Sequence, residues 1–147
     1  MSVSENMTDR NKNAVQRTPE HTEENCPFLT VQKILSGKWS LLVLCYLKNG
    51  PLRFGDIQRY IPEVTQTTLT KTLRKLENDG IVIRTIFPVI PPHVEYSLSP
   101  IGKEMVPVLE ALGEFGIKYL RTMSPDDKLC EEIKTGSCRC CPAVKQM

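Results

Sequence analysis

The chain has 147 residues, 40% of them hydrophobic and 24% charged, with a formal net charge of +2. These values indicate one globular domain with tails and exclude a wholly disordered chain. No apolar run reaches bilayer length and the N-terminus has no hydrophobic core segment, so neither a membrane span nor a signal peptide is expected, and the protein is expected in the cytoplasm with reduced cysteines.

Residues 1–25 are polar, sum to a charge of −2 and lack apolar periodicity; they are expected to be disordered or loosely attached. Order is expected to begin at CPFLTVQKILSG. Cys26 occupies an N-cap position, Pro27 the first helical position, and Phe28, Val31, Ile34 and Leu35 one face, with Gly37 ending the turn. KWSLLVLCYLKNGP follows as a second helix with Trp39, Leu42, Val43, Tyr46 and Leu47 on a stripe. Leu41 and Leu44 lie off that stripe, so this helix is expected to be buried on most sides. Asn49-Gly50-Pro51 stops it. A short helix over about 53–61 turns Phe54, Ile57 and Ile61 inward. Pro62 ends it, and a helix to Asn78 follows with Gly80 as its left-handed stop. Two short helices joined this closely form a helix-turn-helix.

IVIRTIF is rich in β-branched residues and HVEYSL alternates. Pro88, Pro91 and Pro92 between them fit a loop, so the two strands make a wing. Ser99-Pro100 caps a long helix striped by Ile101, Met105, Val108, Leu109, Leu112, Phe115 and Tyr119, which Pro107 is expected to kink or split. SPDDKLCEEIKTG has the signals of one more short helix. The fold expected is therefore mainly α with a small β-wing, a winged helix-turn-helix. Apolar faces on the first and last helices, with Gly113 and Gly116 allowing close approach, predict a homodimer built through them.

The positive charge gathers between residues 48 and 84, where seven basic residues stand against four acidic ones. Its centre is TLTKTLRKLENDGIVIR. With about 100° per residue, Leu69, Leu73 and Leu76 share one face. Thr67, Lys71, Arg74 and Asn78 fall opposite, with Thr70 and Lys75 on the flanks. Each can donate to a phosphate or a base edge. Gln66 and Thr67, at the helix start, stand where recognition helices place base readers. A charged helix face by itself is most often merely solvated; the helix-turn-helix before it and the wing after it favour DNA.

The stretch from CPFLTVQKILSGKW to VEYSLSPIGKE also resembles the HxlR-type winged-helix transcriptional regulators. The shared marks are CP, GKW, LRFGDIQR, TQTTLTKTLRKLENDGIV and the P..PP.VEYSL wing. The resemblance covers about 26–122, leaving 1–25 and the 123–147 tail as departures. It implies a homodimeric, MarR-like regulator of double-stranded operator DNA, palindromic to match the dimer. The recognition helix maps to 65–78 and the wing to about 84–95, with Arg84 and His93 as its candidate contacts; His93 is placed to reach DNA backbone or simply solvent.

Six cysteines are present. Cys26, at a helix N-terminus, has a thiolate favoured by free N–H groups. The resemblance implies a role in sensing oxidants or electrophiles; the alternative is a cysteine that merely caps or packs between subunits. Cys45, among Leu44, Tyr46 and Leu47, is expected to be a buried inert thiol. Cys130, Cys138, Cys140 and Cys141 crowd the tail without paired CxxC spacing, and metal binding, a redox partner for Cys26 and no role all stay open. No cofactor motif or catalytic constellation is present, so no cofactor and no enzymatic activity are expected. A small-molecule or electrophile inducer is the remaining candidate partner. The rival readings are a winged-helix interaction module without DNA binding and a thiol-redox protein; the latter lacks a βαβ context.

Overall fold

The computed structural model describes residues 25–123. In chain order these form α1 (Pro27–Ile34), α2 (Ser40–Leu47), β1 (Leu52–Arg53), α3 (Phe54–Tyr60), α4 (Gln66–Asn78), β2 (Val82–Phe87), β3 (His93–Leu98), α5 (Pro100–Glu104) and α6 (Val106–Met123). The N-terminal extension before Asn25 and the tail from Ser124, with its four cysteines and the short helix expected there, lie outside the described residues.

The core is assembled around α2. Its Val43, Leu44 and Leu47 pack with Ile57 and Ile61 of the α3 region, Leu69, Leu73 and Leu76 of α4, Ile81, Val82 and Leu98 at the root of the wing, and Leu109 of α6. Each such burial contributes roughly 1.5–3 kcal/mol. Leu44, off the expected stripe, is fully buried, because α2 meets α3, α4, β3 and α6. Such a helix has little amphipathic contrast. The apolar face expected on α1 divides. Ile34 and Leu35 pack against the core, while Phe28 is 85% exposed and no residue of α1 is fully buried.

The wing is a three-stranded antiparallel sheet in the order β1-β3-β2, with Val82 opposite Leu98, Arg84 opposite Tyr96 and Phe87 opposite His93. The third strand, β1, was not expected. Two residues are too few to show alternation, yet Leu52 pairs with Tyr96 and Arg53 with Glu95. β3 is thereby a central strand. The helix striped from Ile101 to Tyr119 breaks at Met105, with Pro107 in the second position of α6. A missing N–H is harmless there because the first turn has no partner for it.

The end of α4, both strands of the wing and α5 meet at one knot. Gly80 takes φ +76° to end α4. The Ser99 N–H donates to the Ile81 carbonyl at 2.9 Å, and the Ser99 hydroxyl donates to the Gly80 carbonyl at 2.6 Å. The same hydroxyl accepts from the Gly102 N–H at 3.0 Å, capping α5. Gly102 is buried, and a Cβ there would overlap the Ile81 carbonyl oxygen. Gly102→Ala is therefore expected to lower the unfolding free energy by about 1–3 kcal/mol through overpacking. Gly55→Ala, in α3 where an added Cβ meets nothing within 4 Å, is expected to leave it unchanged or raise it by up to about 1 kcal/mol. Urea unfolding of the two variants checks both values.

Candidate nucleic-acid interface

α4 begins where its sequence directs. Thr65 takes an extended N-cap conformation and its hydroxyl accepts from the Thr68 N–H at 3.2 Å. The turn before it is anchored by buried Val64, whose N–H donates to the Ile61 carbonyl at 3.2 Å. The Gln58 side-chain amide donates to the Val64 carbonyl. Gln58 thus braces the helix-turn-helix from α3, a role its spacing did not announce.

Leu69, Leu73 and Leu76 are buried. Gln66, Thr67, Lys71, Arg74 and Asn78 are all exposed, so the outward face expected from periodicity exists as a continuous surface. Lys71 and Arg74 make no hydrogen bond or ion pair among the described residues. Thr70 is half-buried, and its hydroxyl donates back to the Gln66 carbonyl at 2.8 Å.

Two members of the expected set are engaged elsewhere. The Lys75 ammonium donates to the carbonyls of Lys33 at 2.7 Å and Ile34 at 2.9 Å, and to Asp79 Oδ2 at 2.9 Å. It therefore faces the end of α1. Helical spacing put Lys75 on the flank of the outward face but carried no information about which chain segment lies beside that flank. His93 is half-buried, its ring stacked on Phe87 with centroids 4.6 Å apart and its Nε2 3.4 Å from Glu95 Oε1. It closes the base of the wing loop. Its position opposite Phe87 across the strand pair produces the stack, a pairing that becomes visible only with the register.

Arg84 remains exposed on β2. The six residues of β2 carry the wing roughly 20 Å along its own axis at about 3.3 Å per residue. The loop at its end is apolar: Val89 is exposed and Ile90 is 101% exposed. No Lys or Arg lies between Arg84 and Lys103, so Arg84 is the cation of β2, β3 and the loop between them, while β1 carries the exposed Arg53.

Cys26 is the N-cap of α1 without a side-chain capping bond, half-buried and outside any disulfide. Its carbonyl accepts from both the N–H and the hydroxyl of Thr30, at 3.1 and 3.0 Å. Cys45 is half-buried rather than sealed in the core. It lines a cavity of about 240 Å³ between α2 and α6, with Lys38, Leu41, Leu42, Leu109, Leu112 and Gly113. No helix of the described residues is long and apolar enough to cross a membrane.

Residues 34–124 match the model of the HxlR-like helix-turn-helix family. Over 85 residues the chain is 52% identical to an uncharacterized HTH-type transcriptional regulator of Methanothermobacter thermautotrophicus, covering 58% of this chain and just under two thirds (65%) of that relative. Among solved structures, the redox regulator HypR in its oxidized form superposes with a TM-score of 0.60 at 37% identity, covering 62% of this chain and 94% of that one. The reduced form of the transcriptional regulator YodB from Bacillus subtilis superposes with a TM-score of 0.59 at 29% identity, covering 69% and 98%.

Proposed function

The chain belongs to the HxlR-like helix-turn-helix family, and on that premise we propose that it is a sequence-specific transcriptional regulator that binds double-stranded DNA. The observation that carries this reading is the outward face of α4. Lys71 and Arg74 stand exposed and without partners among the described residues, beside Gln66, Thr67 and Asn78, on a helix whose opposite side is locked into the core. A solvated face would be served as well by salt-bridged pairs; a row of unneutralised donors suits an anionic partner. Arg84 adds a cation from the wing. The protein acts in the cytoplasm, without catalysis and without a cofactor.

The DNA-binding form is a homodimer. Phe28 and Val31 on α1 and Val108, Leu112, Phe115 and Tyr119 on α6 are exposed apolar side chains on the two helices that flank the domain, and a second copy is the partner that covers both faces by symmetry. Its operator is a palindrome with half-sites about one helical turn apart. Light scattering at micromolar concentration is expected to return about twice the chain mass of 16.7 kDa. With an operator selected from random duplex, Lys71→Ala and Arg74→Ala are each expected to lose about 1–3 kcal/mol of binding if they read bases, relaxing preference at one position. If they hold phosphate they weaken all sequences alike. Neither change removes packing, so unfolding free energies stay within about 0.5 kcal/mol. Unchanged affinity in both variants, or duplex binding indifferent to salt, would favour an interaction module over a DNA reader.

Regulation runs through Cys26. The support is its place at a helix N-terminus, half-buried and outside any disulfide, together with a redox regulator among the structural neighbours. Diamide, which oxidises two thiols to a disulfide and is itself reduced to the hydrazine, is expected to lower operator affinity in the wild type and not in Cys26→Ser. Cys45→Ser stays responsive. A chain ending before Cys130 separates the partners: the response persists if the second thiol is the other subunit's Cys26 and falls if it is a tail cysteine. A Cys26→Ser variant that responds like wild type removes the sensor reading.

A further inference from the structure

α1 is a helix of eight residues with no fully buried side chain, far too short to hold its shape alone. Its place is set at its C-terminal end, where Ile34 and Leu35 pack against the core and the last-turn carbonyls are gripped from outside. The Lys33 carbonyl, which also accepts from the Ser36 N–H at 3.2 Å and the Ser36 hydroxyl at 2.6 Å, and the Ile34 carbonyl both accept from the Lys75 ammonium, 42 and 41 residues away in sequence. The third N–H goes to Asp79 Oδ2. All three donors of the side chain are thereby in use. Asp79 explains the arrangement from the other side. It is the C-cap of α4, the negative end of that helix dipole, where a carboxylate is unfavourable unless a cation accompanies it.

We propose that Lys75 is a positioning residue of the reading face and makes no DNA contact of its own. It fastens α1 to α4, so that the helix carrying Cys26 and the helix carrying Lys71 and Arg74 move as one body. This rests on the reading of α4 as the DNA-binding helix. Cys26 stands about 12 Å from the clamp along α1, at about 1.5 Å per residue, so α1 acts as a lever whose fulcrum is a recognition-helix side chain. Coupling of this kind is reciprocal: whatever restrains α4 must also restrain α1.

The test uses the full-length chain, its selected operator and two readouts. Lys75→Met keeps the length of the side chain and removes its three donors. Its operator affinity is expected to fall about 10-fold, with the dependence of log K on log salt unchanged. A lysine bound to phosphate would instead reduce that slope by about one when removed. By hydrogen exchange, operator is expected to slow the amides of Thr30, Leu35 and Ser36 in the wild type. That remote protection vanishes in Lys75→Met while the amides of α4 remain protected. Asp79→Asn supplies an arm with opposite signs. Removing a negative charge near DNA strengthens binding if simple attraction governs; loosening the clamp weakens it, which is the outcome expected here. A reduced salt slope in Lys75→Met, persistent α1 protection in that variant, or tighter binding by Asp79→Asn would each overturn the proposal. A wild type that binds no duplex would instead remove the DNA reading. In that case faster exchange of the α1 amides in free Lys75→Met would still establish the clamp itself, and unchanged exchange would remove it.

Discussion

The domain depends on a hydroxyl. The Ser99 hydroxyl donates to the Gly80 carbonyl just past α4 and accepts from the Gly102 N–H in the first turn of α5, while its own N–H closes on Ile81. A two-stranded ribbon that leaves α4 and returns is only marginally stable by itself, and nothing in a hairpin alone dictates where its second strand ends. Here it ends against the turn from which the first strand began. The absence of a Cβ at Gly102 lets the Ile81 carbonyl approach α5 that closely. The direction of the wing relative to α4 follows, because β2 leaves from one side of this knot and β3 arrives at the other.

From that fixed frame the two kinds of surface separate. α2 is covered by α3, α4, β3 and α6, so the apolar demand of the core is met by a central helix with neighbours on most sides. Beyond the apolar wing loop, exposed apolar side chains gather on α1 and α6, among them Phe28, Val31, Leu112, Phe115 and Tyr119. The Lys48 ammonium, 3.7 Å from Glu110, and the Leu109 contact hold α6 along α2. The polar, donor-rich face of α4 and the apolar faces of α1 and α6 are thus presented by one rigid core. Assembly through the latter would orient the former without any rearrangement of the domain.

Much of this was legible in one dimension. The spacing of Leu69, Leu73 and Leu76 set the inner side of α4, and with it the outward placement of Thr67, Lys71, Arg74 and Asn78. Gly80 and Pro107 marked breaks because their backbones permit or forbid a narrow range of geometries. Periodicity was blind to neighbours. It located Lys75 on a flank but could not bring the carbonyls of Lys33 and Ile34 to it. It put His93 at the start of a strand but not onto Phe87. The two residues of β1 are too short to carry any pattern. Each departure is a tertiary contact between segments that the local pattern treats as independent.

The same contacts limit the electrostatics available to one subunit. With Lys75 clamped to α1, the cations of α4 that stay uncommitted among the described residues are Lys71 and Arg74, and the wing sheet contributes Arg53 and Arg84 behind an apolar tip. Each neutralised phosphate contributes about 0.9 to the salt slope, so one reading face with few positive groups engages duplex DNA weakly on charge alone. Duplicating the face by two-fold symmetry doubles the phosphate contacts. It also makes the second half-site an intramolecular event with its own effective concentration. The sparse charge of the reading face and the exposed apolar faces of α1 and α6 are therefore two sides of one requirement. In the proposed dimer, operator affinity would be gained through the partner, and a change at α1 that altered the pairing would act on that gain directly.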